Sequence, residues 1–251
     1  MRAILVSVDY SDILRLTLPY NRHHFSDVFV VTTPRDTETQ RIATSCGAHV
    51  ITTDVFYDHG AEFNKWAALE HGIDQMVRQG WFCVMDADVL WPKTLRRHRI
   101  SIGTLYTPFR RMCDNIPQEV PDESTWSQFP RDHLTHHWSG YSHIFHATDP
   151  ALRALPWYGL DWKHAGGADT FFQERWSVQR KARPPFEVLH IGERGRNWCG
   201  RVTQRADNVE IPEAAEREQS LQRYLRQRRG RKGSRRFDLE KIRTLAWPQE
   251  P

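Results

Sequence analysis

Two aspartates one residue apart, Asp86 and Asp88, follow directly on the apolar run Trp81-Phe82-Cys83-Val84-Met85. A short apolar run of this kind reads as a buried strand. A strand ending in Asp-x-Asp sets two carboxylates at the carboxyl edge of a sheet, where an open α/β sheet has its ligand crevice. Hard oxygen donors at such an edge suit Mg²⁺ or Mn²⁺, ions that share their coordination with substrate phosphates. The pair alone is equally a solvated turn after a strand, so its meaning depends on what surrounds it.

The surrounding pattern is alternating. Ala3–Val8 reads as a strand, and so does Asp27–Thr32, centred on Val28-Phe29-Val30-Val31. Ile13, Leu16 and Tyr20 mark a helix between them. Thr37 to Cys46 is a second helix, capped by Thr37 with Glu38 in its first turn and closed by Gly47. Ala48–Thr52 is a third strand. Phe63 to Gln79 is helical by period, with Phe63, Trp66, Ala67, Ile73, Met76 and Val77 on one side, and Gly80 ends it before the strand Trp81–Met85. This order predicts an α/β fold, a Rossmann-like, mostly parallel twisted sheet with helices on both faces. The regularity fails after Asp88. Leu105–Arg110, Tyr141–His146 and Phe186–Ile191 read as strands, Pro150–Leu155 and Thr170–Trp176 as short helices. Asn115 to Arg131, rich in Pro, Asp, Glu and Ser, reads as a long surface loop. The organisation expected is one domain over 1–210, with halves of about 1–100 and 101–210, then a C-terminal helix and basic arm over 211–251.

Composition narrows the class. With 251 residues, 39% of them hydrophobic and 12% aromatic, the chain can bury a sizeable core. No apolar stretch reaches the roughly 18 residues of a membrane helix, so no membrane partner is expected. The chain runs straight into Ala3-Ile4-Leu5-Val6 without a basic n-region, which predicts a cytoplasmic protein. Cys46, Cys83, Cys113 and Cys199 are too widely spaced for a zinc site or a disulfide framework. The formal charge of +4 is uneven: eight basic residues and no acidic one fall between Arg223 and Arg236. The rest of the chain has 27 basic and 31 acidic residues, a balance of −4. Arg226, Arg228, Arg229, Arg231, Lys232, Arg235 and Arg236 therefore form a candidate phosphate-backbone contact, the alternative being a solvated tail. His133, His136 and His137 have helical spacing, but Pro130 and the loop composition around them favour surface polar residues over a metal site.

The chain resembles the GT-A glycosyltransferases. The resemblance covers about 3–201 and rests on a Rossmann-like first half ending in Asp86-Ala87-Asp88, on Phe63-Asn64-Lys65, on Gly166-Gly167-Ala168-Asp169, and on His190 after Phe186-Glu187-Val188-Leu189. More narrowly, Val6-Ser7-Val8-Asp9-Tyr10, Asp86-Ala87-Asp88, His190-Ile191-Gly192 and Arg196-Asn197-Trp198 together resemble the phage-type TET-associated glycosyltransferases. That resemblance implies transfer of a sugar to a 5-hydroxymethylpyrimidine, 5-hydroxymethylcytosine foremost, in DNA, and a host cytoplasmic location for a phage-encoded protein. It implies Asp169 as general base and His190 as the residue completing the metal site.

The chemistry of such a transfer assigns roles. A sugar nucleotide leaves a charged diphosphate, which a divalent ion, Mn²⁺ or Mg²⁺, stabilises. Asp88 is the candidate direct ligand, and Asp86 either binds the ion through water or holds the ribose hydroxyls. His190 is a further ligand or simply a strand-end histidine bonded to backbone. Asp169 deprotonates the acceptor hydroxyl, caps the Thr170–Trp176 helix, or does both; as a base it implies inversion. Val8, Asp9 and Tyr10 end the first strand where a uracil can stack and bond, with Thr32, Thr33, Asp36 and Ala87 at the same edge. Lys65, Arg194 and Arg196 are candidates for the diphosphate. Trp138 and Tyr141 either stack on the acceptor, beside Gly166 and Gly167, or pack in the core. Two other readings stay open: a glycan or small-molecule acceptor, and a non-catalytic nucleic-acid-binding protein on this scaffold. The donor sugar and the oligomeric state are open too.

Overall fold

A computed structural model of the chain describes residues 1–95, 99–132, 138, 140–160, 162–193 and 200. Its strands are β1 (Arg2–Val6), β2 (Asp27–Thr32), β3 (His49–Thr52), β4 (Trp81–Met85), β5 (Val89–Leu90), β6 (Leu105–Tyr106), β7 (Phe109–Cys113), β8 (Ser142–His146), β9 (Lys181–Ala182) and β10 (Glu187–Ile191). Its α-helices are α1 (Ser11–Asn21), α2 (Thr37–Ser45), α3 (Lys65–Gln75) and α4 (Ala168–Gln173). By internal contacts the chain divides into Met1–Thr203 and Gln204–Pro251. The second unit, with the polar helix expected at Ala214–Arg229 and every residue of the basic run, lies outside the described residues.

A seven-stranded sheet has the order β3-β2-β1-β4-β8-β6-β9. Its first four strands are parallel. Parallel neighbours need crossovers, and α1, α2 and α3 supply them. Alternate residues of β1 enter opposite cores: Ile4 and Val6 pack with Leu69 and Ile73 of α3, while Ala3 and Leu5 pack with Leu14 and Leu18 of α1 and Ile42 of α2. Both faces are thus covered, which is why these strands read as continuous apolar runs rather than alternating ones. α3 lies so close to the sheet that a Cβ at Gly72 would meet Val31 Cγ2 at 2.6 Å and Ile4 Cδ1 at 2.8 Å.

Several boundaries differ from those expected. α2 is capped by Asp36, not Thr37: its carboxylate accepts from the Thr39 amide at 3.1 Å. α3 starts after Asn64, whose side chain accepts from the Ala67 amide, and it ends at Gln75 rather than Gln79. Met76 is already extended, and Val77, 66% exposed, has no core to bury against. The strand expected at Leu105–Arg110 is two strands in two sheets, because Pro108, which cannot donate to a ladder, sits where the chain changes sheet. The 115–131 segment is a loop, but Asp122 caps a 3₁₀ turn at Glu123–Gln128 that buries Trp126 against Ile13, Leu90 and Leu189. Pro150–Leu155 is a single 3₁₀ turn, Pro150–Leu152, capped by Asp149.

The smaller sheet, order β5-β10-β7, positions the site. β5 follows immediately on Asp88 and pairs antiparallel with β10, His190 opposite Val89. That pairing carries a residue from the end of the domain to the end of β4.

Candidate active site

The end of β4 is held from both sides. The Asp86 amide donates to the Tyr141 carbonyl at 3.0 Å, continuing the β4–β8 pairing, and the Ile191 amide donates to the Asp88 carbonyl at 2.9 Å. Asp86 and Asp88 therefore leave the strand in fixed directions. Asp88 Oδ2 lies 3.3 Å from His190 Nε2 and accepts from the Tyr10 hydroxyl at 3.3 Å. Asp88 Oδ1 and His190 Nδ1 are buried without a hydrogen-bond partner among the described residues. Asp86 is ion-paired through Oδ1 with the Lys65 ammonium, which stands in the first turn of α3.

The electrostatics separate the two carboxylates. Burial raises the Asp86 carboxyl above its ordinary value, Asp88 adds to this, and Lys65 opposes it. Burial pushes Asp88 up as well, but the His190 imidazole, then Lys65 and Arg110, bring it below the ordinary carboxylate range. Arg110 is buried on β7 in an ion pair with Asp132 and covers the Tyr141 ring at 4.3 Å. One carboxylate of the pair is thus the committed anion.

Among the described residues no group of three or more His, Cys, Asp or Glu side chains gathers as a metal cage. That is compatible with Mg²⁺ or Mn²⁺, which take one or two protein ligands and fill the remaining positions with water and phosphate. Asp88 and His190 fit such an ion. A carboxylate oxygen left bare in the interior is costly unless something charged or hydrogen-bonding meets it, and it stands beside an imidazole. Asp86, held by Lys65, faces a different partner.

The segment after β1 is shaped by α2. Asp9 has a positive φ of 53°, and its amide donates to Asp36 Oδ2 at 2.7 Å. Thr32 Oγ1 donates to the same oxygen at 3.1 Å. Asp36 and Thr32 are buried and bonded within this turn, and Val8 packs in the core, so together they shape the Asp9-Tyr10 turn. The strand end and the cap of α2 thus form one hydrogen-bonded unit.

In the Gly166-Gly167 segment, Gly167 caps α4 in the left-handed region with φ 107°, and Asp169 lies in the helix's first turn. Asp169 is therefore not the cap: its Oδ2 accepts from the Gly140 amide at 2.9 Å. A Cβ at Gly140 would stand 2.4 Å from Asp169 Cβ and 3.1 Å from Trp66 Cη2. Gly140 and Tyr141, consecutive in the turn just before β8, thereby hold Asp169 and Asp86 respectively. Of the two uses open to Tyr141, the structure displays packing: its ring is buried, its hydroxyl donates to the Pro108 carbonyl at 2.5 Å, and Arg110 covers it. Trp138 is half-buried, with the Arg183 guanidinium 4.3 Å from its ring. Gly166 is buried. Its amide meets His164 Nδ1 at 3.0 Å. Arg194, Arg196, Asn197, Trp198, Cys199, His133, His136 and His137 lie outside the described residues.

Sequence reading missed Gly140 and Arg110. Nothing local marks Gly140 as a contact of Asp169, and nothing local distinguishes Arg110 from its neighbour Arg111. It also missed His143, which is buried between Tyr158 Oη and the Trp138 carbonyl, each 3.1 Å from a ring nitrogen. Burial, the dominant effect, lowers its pKa to about 4.

No protein-family model matches the sequence, and no curated protein matches it. Solved structures do match. Mannosyl-3-phosphoglycerate synthase from Rubrobacter xylanophilus superposes with a TM-score of 0.50 at 13% identity, over 94% of this chain and 77% of that one. Glucosyl-3-phosphoglycerate synthase from Mycobacterium tuberculosis gives 0.46 at 12% identity, over 78% and 72%. Another structure of the latter enzyme, solved with Mn²⁺, UDP and glucosyl-3-phosphoglycerate, gives 0.44 at 12%, over 76% and 71%. A mycobacterial protein is matched at 0.45 and 11% over 76% of this chain and 64% of its own length, so the chain spans under two thirds of that relative. No helix among the described residues is long and apolar enough to cross a membrane. With Asp86-Ala87-Asp88 at the edge of a mostly parallel sheet and the chain superposing on the Rubrobacter synthase, the fold is that of the GT-A glycosyltransferases.

Proposed function

We propose that this chain is a divalent-metal-dependent glycosyltransferase of the hexosyltransferase type. In this reading it moves a sugar from a UDP-sugar to the hydroxymethyl group of a modified pyrimidine, 5-hydroxymethylcytosine, in DNA, with inversion at the anomeric carbon. The observation that carries the reading is the pairing of Asp88, whose buried Oδ1 has no described partner, with His190 at the end of β4.

Asp88 and His190 hold the ion, which when bound offsets the charge that develops on the departing diphosphate. Lys65 supplies a protein cation at the same edge, and phosphate oxygens compete with Asp86 for it. Asp9 and Tyr10, set by the Asp36-held turn, offer a carboxylate and a ring to the uracil. Asp169 accepts the proton of the attacking hydroxyl, and the Gly140 amide on Oδ2 keeps its carboxylate in one orientation. A base placed opposite the leaving group inverts the centre.

The DNA acceptor rests on the narrower family resemblance and on the basic run Arg223 to Arg236. The deciding experiment is mass spectrometry of nucleosides from hydroxymethylcytosine DNA incubated with the protein, Mn²⁺ and a panel of UDP-sugars. A nucleoside heavier by one sugar is expected, and it should vanish in Asp169→Asn, which keeps the shape but cannot take a proton. Mn²⁺-dependent hydrolysis of the donor with no modified nucleoside would overturn the acceptor while keeping the transferase. Replacing Arg228, Arg229, Arg231 and Lys232 by Gln should reduce the slope of log K against log salt by up to about 3–4 for duplex DNA. An unchanged slope would make the run a solvated tail.

A further inference from the structure

The buried polar groups of α1 have no part in the chemistry above. Thr17 and Asn21 lie one helical turn apart, 2% and 3% exposed, in an otherwise apolar face that carries Ile13, Leu14 and Leu18. Helix interiors disfavour such residues unless their side chains have partners. Both side chains have partners, and on the same segment. Thr17 Oγ1 lies 2.6 Å from the Ala87 carbonyl and 3.3 Å from the Ile13 carbonyl of its own helix. A hydroxyl has one hydrogen, so the shorter contact, to Ala87, takes it. Asn21 Nδ2 donates to the Val89 carbonyl at 2.7 Å, and its Oδ1 accepts from the Trp91 amide at 2.9 Å. The same helix begins at Tyr10, whose hydroxyl reaches Asp88 Oδ2.

We infer that Thr17 and Asn21 are positioning residues for the metal carboxylate: from α1 they clamp the backbone on either side of Asp88 and so fix its direction toward His190. This rests on the reading of Asp88 and His190 as ion ligands. Neither residue touches the ion or the donor. The Ala87 carbonyl lies in the peptide plane just before Asp88, which Thr17 holds; the plane just after it is held through the Asp88 carbonyl by the Ile191 amide, and Asn21 fixes the next one through the Val89 carbonyl. The β5–β10 ladder and the Ile191 amide restrain the same stretch from the opposite side. Because α1 starts at the Asp9-Tyr10 turn, the clamp also links the donor-facing turn to the metal carboxylate through one rigid element. A ligand's supporting hydrogen bonds commonly govern metal affinity by 10–100-fold when removed.

The test is Mn²⁺ binding by the full chain, read by electron paramagnetic resonance of free Mn²⁺ with and without UDP, alongside thermal midpoints of the metal-free protein. Thr17→Val keeps the shape and removes the hydroxyl, Thr17→Ser restores the hydroxyl, and Asn21→Leu removes both amide contacts. Ile42→Val, in the core beneath α2, serves as a control for loss of packing alone. We expect Thr17→Val and Asn21→Leu to weaken Mn²⁺ binding about 10-fold or more. Thr17→Ser should stay within about 2-fold of the unmodified chain, and Ile42→Val should lower the midpoint without moving Mn²⁺ affinity. Should Asn21→Leu not fold, the Thr17→Val and Thr17→Ser pair decides. Unchanged Mn²⁺ affinity in folded Thr17→Val overturns the inference, as does equal weakening in Thr17→Ser. If the unmodified chain binds no Mn²⁺ with or without UDP, the ligand reading itself fails and the clamp falls with it.

Discussion

Gly140→Ala tests how closely Asp169, the proposed base, is fitted. The added Cβ would lie 2.4 Å from Asp169 Cβ, with Trp66 Cη2 at 3.1 Å closing another direction. Carbon atoms pack at about 3.5–4.0 Å, so α4 or the turn before β8 must yield by about 1.1–1.6 Å. The obstructing atom is the Cβ of a residue in the first turn of α4, not the end of a flexible side chain, so the backbone has to move. The shift also lengthens the hydrogen bond from the Gly140 amide to Asp169 Oδ2. Overpacking of this kind costs about 1–3 kcal/mol of stability, and displacing a reacting group by about 1 Å costs about 10²-fold in rate. The donor side leans on the next residue, Tyr141, through its carbonyl, and should feel less. The assay compares sugar transfer to hydroxymethylcytosine DNA with acceptor-free hydrolysis of the UDP-sugar, at a temperature where the variant is folded by circular dichroism. Transfer should fall about 10²-fold while hydrolysis changes by only a few-fold. A folded variant that transfers at the wild-type rate would refute both the fit and the role of Asp169.

Asp88→Ala should remove the proposed metal ligand and cost on the order of 10²-fold or more in donor hydrolysis; full turnover by this variant, or by the unmodified chain in EDTA, would sink the metal reading. Acid should destabilise the fold in a defined window. Burial lowers His143 to about 4 from an ordinary 6.5, so the unfolded chain binds the proton first. Its share of stability is complete above about pH 6.5 and is lost as pH falls toward 4, up to about 3 kcal/mol. His24, half-buried and also lowered to about 4 by burial, acts in the same direction. Urea midpoints for His143→Gln should therefore fall less steeply between pH 6.5 and 4 than those of the unmodified chain, and parallel curves would show that His143 does not titrate in this window. Lys65→Ala should leave Asp86 without its ion pair and weaken UDP binding, read by calorimetry; unchanged UDP affinity would confine Lys65 to supporting Asp86.

What the sequence determined by itself is what short-range pattern can carry. The strands at Asp27–Thr32 and Trp81–Met85 were legible to the residue because apolar runs between helices have one stable use, a sheet buried on both faces. Asp86 and Asp88 were placed at the sheet edge by their position directly after such a run, and Gly47, at positive φ, follows the end of α2 as read, whereas Gly80 stands just before β4, five residues beyond the end of α3. Tertiary structure decided the rest. Which residue meets Asp88 is set by the pairing of β5 with β10, a contact between segments about a hundred residues apart that no local pattern encodes. Asp36 reads as a donor-edge carboxylate in sequence, and only the fold shows that it also ties Asp9, Thr32 and Thr39 together. Tyr141 reads equally as a stacking platform or a core residue, and only the Arg110 guanidinium, brought over its ring from another sheet, shows it packed. Thr17 and Asn21 read as ordinary polar residues in a helix, and only packing against the turn after β4 gives their side chains partners. Periodicity reports which face of an element is buried; what a buried polar group touches depends on long-range register, and that exists only once the chain has closed on itself.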